Sequence, residues 1–252
     1  MEPLEIPLVE GRARVERVRT GWAVDVDGTT TEDATTAGVE AALAAIAIAG
    51  GGLARLWARD GEPHVVAAAT GLGFEPERQL LQVRRRLPLD PPYDLGPGSP
   101  YRIETRAFVP GQDEEAWLAV NNRAFDWHPE QGGMTLADVR EREAAPWFDP
   151  AGFRLHEVDG RLVAFCWTKR HLDEDPPLGE IYAIAVDPDA GVHGLGKPIV
   201  LAGLDHLHRV DGLDWGMLYV DGGNAEARAM YDKLGFTTTR VDESFVREVA
   251  PA

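Results

Sequence analysis

Apolar residues recur with a strand-like period of two in some stretches and with helical spacing in others, most regularly in the second half of the chain. Arg102 to Phe108 alternates as a strand does. Asp113 to Phe125 places Trp117, Val120 and Phe125 at helical spacing, and Leu136 to Glu143 reads as a second short helix. Phe153–Val158 and Arg161–Lys169 flank Asp159-Gly160, a favoured two-residue turn, and so predict a hairpin. Glu180–Val186 is an apolar, β-branched strand. A helix over Gly194–Val210, a strand over Trp215–Val220, a helix over Asn224–Leu234 and closing strands from Phe236 complete the pattern. A strand meander followed by strand–helix–strand–helix–strand predicts a mixed α/β (α+β) sheet.

The segment from Leu87 to Pro100 is dense in Pro and Gly and can continue neither a helix nor a central strand. It reads as a linker over residues 88–100 between a domain at 1–87 and a larger one at 101–252. The first part weakly repeats the end of the second. Ala54–Gly61 matches Gly216–Gly222, and Ala67–Phe74 matches Ala229–Phe236, each pair running into an Arg-containing tail. Such a repeat points to duplication. The first copy has too few residues before its first helix to be complete, and reads as a shortened, degenerate one.

Composition narrows the function classes. A formal charge of −17 argues against non-specific nucleic-acid binding and against anionic membranes. No apolar run reaches the roughly 20 residues of a membrane span. The acidic N-terminus lacks a basic-then-apolar signal pattern, so a cytoplasmic protein is expected; a monomer is taken as the default. The lone Cys166 excludes an intrachain disulfide and, within Leu162–Trp167, reads as a buried thiol. The histidines show no zinc-type spacing, so no metal is expected.

Two constellations carry chemistry. In the first, the strand Glu180–Val186 runs through Asp187-Pro188 into Gly191-Val192-His193-Gly194-Leu195-Gly196-Lys197 and a helix. Glycines admit an anion close to backbone N–H groups, and a helix start adds unsatisfied donors and partial positive charge. On the glycines alone, an ordinary strand–helix turn is the favoured reading. The second is Asn224-Ala225-Glu226-Ala227-Arg228-Ala229-Met230-Tyr231, closed by Leu234-Gly235-Phe236. Asn224 is placed to cap this helix and Gly235 to end it.

In this order and spacing the two constellations resemble the GNAT acetyltransferase superfamily. Its acetyl-CoA loop reads Q/R-x-x-G-x-G/A, and its later helix reads N-x-x-A-x-x-x-Y-x-x-x-G-F. Val120–Phe125, His128–Gly133, Trp147–Pro150, Phe165–Lys169 and Gly179–Tyr182 are similar to the mycothiol synthase family within it. That family joins two tandem GNAT domains and acetylates the cysteinyl amine of a cysteine–glucosamine–inositol pseudodisaccharide thiol. The close resemblance covers residues 100–250, and the first part only loosely. It implies a GNAT fold whose complete C-terminal copy is catalytic. It implies acetyl-CoA as co-substrate, held by Ile184, Ala185 and Val186, by Gly191 to Lys197, and by Asn224 to Ala229. It also implies Glu130, Lys169, Glu180 and Tyr219 as contacts to the pseudodisaccharide.

The reaction needs a base for the ammonium and an acid for the departing thiolate, roles open to Glu180 and Tyr231. A solvated edge charge at Glu180 and a core tyrosine at 231 are the plain alternatives, as are a surface lysine at 169 and simple turn chemistry at Glu130. Gly191 and His193 depart from the loop pattern by removing positive charge, and Pro198 removes an N–H. In the first copy, Gly28–Asp33 offers acids and no glycine loop, so that half is not expected to use acetyl-CoA. Another small amine or a protein N-terminus as acceptor, or a non-catalytic acyl-CoA-binding paralogue, are the alternatives.

Overall fold

The computed structural model describes residues 3–90, 92–126 and 131–252. They fall into two compact units, Met1–Gln82 with Val220–Ala225 and Thr238–Ala252, and Val83–Tyr219 with Glu226–Thr237.

The first unit opens with an antiparallel meander of β1 (Leu4–Pro7), β2 (Arg12–Val18) and β3 (Gly21–Asp27). Helix α1 (Glu32–Ile48) then crosses over to β4 (Gly52–Ala58), which runs parallel to β3. The crossover follows from the pattern. Trp22 and Val24 alternate inward on β3, and Val39, Ala42, Leu43 and Ile46 line one side of α1, forming a single core. Thr31 caps α1 by accepting from the Ala34 N–H. Helix α2 (Pro63–Gly71) and β5 (Glu75–Arg86) come next, and β5 passes into the second unit at Val83.

The second unit continues with β6 (Arg106–Ala107), α3 (Glu114–Ala124), α4 (Leu136–Glu143), β7 (Phe153–Val158), β8 (Arg161–His171) and β9 (Leu178–Val186). Helix α5 (Gly196–Arg209), β10 (Trp215–Asp221), α6 (Ala225–Lys233) and β11 (Thr237–Val249) complete the chain. Strand order in this unit is β5-β10-β9-β8-β7-β6. The β7–β8 hairpin turns through Asp159 and Gly160 at φ 51° and 74°, the left-handed pair that this turn requires. One face of the sheet packs aromatic rings against α3 and α4. Phe153 lies flat between Phe108 and Trp167, at 4.4 Å from each, and Trp117 meets it edge-on. The other face takes α5, close enough that a Cβ at Gly203 would lie 2.3 Å from Cys166 Sγ. Cys166 is fully buried, and burial pushes its thiol up to about 12.

Strand β11 returns to the first unit. Its residues Glu243–Val249 pair antiparallel with Ala58–Gly52, and the order there is β1-β2-β3-β4-β11-β5. The compact units therefore part the chain differently from a cut at the Pro/Gly-rich 88–100 segment. A linker marks where local structure stops, whereas β11 is assigned by a partner far back in the chain. The closing strands expected after Phe236 are one strand of 13 residues. The expected strand over Arg102–Phe108 contracts to Arg106–Ala107, because side chains take over its backbone acceptors. His156 Nδ1 donates to the Glu104 carbonyl and Arg154 Nη2 to that of Thr105.

The two segments matched in the sequence share a hydrogen-bonding pattern. Segments β4–α2–β5 and β10–α6–β11 are both strand–helix–strand. Gly73 and Gly235 end the two helices at φ 71° and 77°. The next N–H closes each end in the same way, Phe74 to the Ala69 carbonyl and Phe236 to that of Tyr231. Ala69 thus stands in the first copy where the second has Tyr231. No described helix is long and apolar enough to cross a membrane.

Candidate active site

Strand β9 is irregular where chemistry is expected. Its pairing with β8 shifts between Trp167, opposite Ala183, and Thr168, opposite Ile181, leaving Tyr182 as the extra residue of a β-bulge. Its parallel pairing with β10 covers Gly179–Ile181 against Gly216–Leu218 and stops there. Past the bulge, the β10-facing main-chain groups of β9 have no strand partner among the described residues. Ile184, Ala185 and Val186 are half-buried at this open edge. An open strand edge in a crevice offers aligned N–H and C=O groups to an extended amide-bearing ligand.

Asp187 ends β9 and anchors the loop that leads to α5. Its carboxylate is buried and accepts from Arg123 Nε and Nη2 on α3, from Arg161 on β8 and from the Asp189 N–H. The Arg123 guanidinium, ahead of the cost of burial, lowers its pKa to about 2. In this loop, Gly191 and Gly194 have φ 65° and 80°, and an added Cβ at either would meet nothing within 4 Å. The loop therefore faces open space with its main chain. Helix α5 begins with no side-chain cap and no acid in its first turn, so the N–H groups of Gly196 and Lys197 remain for an anion. Pro198 withholds the third donor. Lys197 sends its ammonium over the rings of Tyr93 and Tyr101, at 5.0 and 5.3 Å. His193 is exposed. A phosphate-bearing ligand fits this donor set, which relies on backbone dipoles and one lysine.

Helix α6 lies beside that start, since a Cβ at Gly196 would come 3.5 Å from Met230 Sδ. The helix begins at Ala225, with Asn224 just before it. Ala225, Glu226, Arg228 and Ala229 are exposed, and Ala227 is half-buried. Tyr231 is buried with its ring 5.7 Å from Phe236, and burial raises its pKa, so its phenol stays protonated. Tyr219 on β10 is 37% exposed.

Glu180 is not a solvated edge charge. It is 7% exposed, and Lys169 lies directly opposite on β8. The Lys169 ammonium turns onto an aromatic wall, 4.9 Å from the Trp147 ring centre and 5.7 Å from that of Tyr182. Arg142 on α4 donates to the Tyr182 hydroxyl. The partner of Glu180 is His171, whose Nε2 lies 2.6 Å from Oε2. Sequence reading missed both His171 and Asp187. His171 lies two residues beyond Lys169 on one strand, a spacing that could have shown their common face. Glu130, expected at the acceptor site, lies outside the described residues.

In the first unit, the segment before α1 is already occupied by an acid. The Glu10 carboxylate accepts from the N–H and hydroxyl of Thr30. The sequence spacing also missed Asp149, His206 and Asp211, whose ligand atoms lie within 4.8 Å of one another. There the Arg170 guanidinium stands 3.7 and 3.5 Å from the two carboxylates and supplies the positive charge.

The profile of the Acetyltransferase (GNAT) family matches residues 114–236. A mycothiol acetyltransferase of Thermobispora bispora is 48% identical over 208 residues, covering 81% of this chain and 69% of that protein. One from Streptomyces coelicolor is 47% identical, covering 79% and 62%. The chain thus spans about two thirds of the length of these relatives. Among solved structures, a GCN5-related N-acetyltransferase of Sphaerobacter thermophilus has a TM-score of 0.70 at 17% identity, covering 96% of this chain and 78% of its own. A tandem GNAT protein from the clavulanic acid pathway has a TM-score of 0.66 at 14% identity, covering 96% and 80%; both show the shared fold. The chain belongs to the GNAT acetyltransferases and, among them, to the mycothiol acetyltransferase family.

Proposed function

We propose that this acetyltransferase moves the acetyl group of acetyl-CoA to the cysteinyl amine of a cysteine–glucosamine–inositol thiol, completing mycothiol. The observation that carries this reading is the position of Glu180. It is buried one residue before the point where β9 and β10 part, beside the stretch Ala183 to Val186, whose β10-facing edge has no strand partner among the described residues. The acetyl and pantetheine end would lie along that edge, and the pyrophosphate on the loop from Gly191 to Lys197. Asn224 to Ala229 would line its other side.

Glu180 takes the proton from the substrate ammonium, directly or through a water, leaving a neutral amine. Backbone N–H groups of β9 stabilise negative charge growing on the acetyl oxygen. Tyr231, kept neutral by burial, donates to the departing thiolate. Lys169 and Tyr219, with Glu130, hydrogen-bond the polyol, and Trp147 and Tyr182 wall the acceptor side. The acetyl carbon exchanges its C–S bond for C–N, and one proton leaves to solvent. We assign this work to residues 101–252. Ala69 in place of Tyr231, and Glu10 seated at Thr30, support a first copy without catalysis.

Incubation with acetyl-CoA and the pseudodisaccharide thiol should give a product heavier by one acetyl group, with the thiol still titratable. Acetylation of simple amines at equal efficiency would overturn the choice of acceptor.

A further inference from the structure

We infer that His171 is a positioning residue for the reaction, holding the Glu180 carboxylate in the one orientation that meets the substrate ammonium. The inference rests on Glu180 being the base. An ionised carboxylate only accepts hydrogen bonds, so at 2.6 Å the proton between the two groups sits on His171 Nε2, which donates to Oε2. Among the described residues, no other hydrogen bond reaches the Glu180 carboxylate. The cation opposite it, Lys169, is drawn onto Trp147 and Tyr182. Oε1 is thus left for the amine.

Geometry makes the imidazole the fixed partner of the pair. His171 is the last residue of β8, and its backbone is in register with Leu178, two residues before Glu180 on β9. The two side chains therefore emerge on one face of an antiparallel pair, diagonally related, where they reach each other. A glutamate has three side-chain torsions. One short hydrogen bond to a ring anchored on a neighbouring strand removes most of that freedom before substrate arrives. His171 is itself partly exposed, with a side-chain accessibility of 22% against 9% for Glu180. The acids Asp173, Glu174 and Asp175 of the following loop are exposed. The elements around the pair also carry Arg161, Cys166, Lys169 and Arg170 on β8, Tyr182 on β9, Tyr219 and Asp221 on β10, and Asp138, Arg140, Glu141, Arg142 and Glu143 on α4.

The test uses the full chain and steady-state kinetics with acetyl-CoA and the pseudodisaccharide thiol. H171A should lower kcat about 10- to 100-fold, the usual cost of losing a group that orients a catalytic side chain, with KM for acetyl-CoA unchanged. H171Q, whose amide can present an N–H near the position of Nε2, should recover most of that loss. In an E180Q background, H171A should cost almost nothing more, since the two act as one unit. Full activity in H171A beside a dead E180Q would overturn the role of His171 alone. Full activity in E180Q would instead overturn the base assignment. A loss in H171A that H171Q does not recover, or an equal further loss in the E180Q background, would reduce His171 to a structural residue. Circular dichroism of both variants excludes misfolding as the cause.

Discussion

Asp187→Asn isolates the charge that anchors the loop between β9 and α5. Asparagine keeps the shape and a carbonyl acceptor but not the negative charge. Asp187 has an ordinary pKa of 3.8 and is held at about 2, a difference worth about 2 kcal/mol of folded-state stability. Its carboxylate is buried, so this figure needs little discount for solvent. The guanidinium partners are partly exposed, 37% for Arg123 and 55% for Arg161, and can rehydrate when their counterion goes. The cost should therefore stay near 2 kcal/mol and not reach the roughly 3–5 kcal/mol of a stranded buried charge. For a chain of this size that is a fall in Tm of roughly 4–8 °C at pH 7. The sign with pH follows from a depressed acid. The stabilisation is complete above about pH 4 and is lost as pH falls toward 2. Urea unfolding of the two proteins should show a constant gap from pH 7 to about 4 that narrows below it. In parallel, KM for acetyl-CoA should rise, because the Asp189 N–H loses its charged acceptor and the loop its anchor. A gap that stays constant through pH 3, or a variant as stable as wild type at pH 7, would refute the assignment of loop order to this carboxylate.

Other consequences are more local. Tyr231→Phe should lower kcat on the order of 10- to 100-fold with acetyl-CoA affinity retained, as read by single-turnover kinetics and calorimetry; unaltered turnover would leave the phenol a core group. Gly203→Ala should cost about 1–3 kcal/mol, since its new methyl would fall 2.3 Å from Cys166 Sγ. Adding Cys166→Ala should restore part of that loss in a thermal melt, and a purely additive double variant would contradict the contact. Cys166 should resist iodoacetamide in the native protein and react once urea unfolds it, because burial holds it as an inert thiol; rapid native labelling would show an opening there.

Features that depend on near neighbours were legible in the sequence. The Asp159-Gly160 hairpin, α4 over Leu136–Glu143, the helix stop at Gly235 and the buried Cys166 each follow from propensity, spacing or turn chemistry within a few residues. The glycine loop and the two similar strand–helix–strand stretches were legible for the same reason, since each is contiguous. What distant partners decide was not. Nothing near Val249 announces that β11 will pair with β4. Nothing near Asp187 names Arg123, 64 residues earlier, as its counterion. The parting of β9 from β10 and the bulge at Tyr182 depend on how three strands share hydrogen bonds. Lys169 carries the charge expected of a ligand contact, but only packing turns it onto Trp147. Glu180 was recognisable as a candidate base from its place on the strand. That His171 holds it was decided by the register of two strands, because a shift of one residue would send that imidazole to the opposite face.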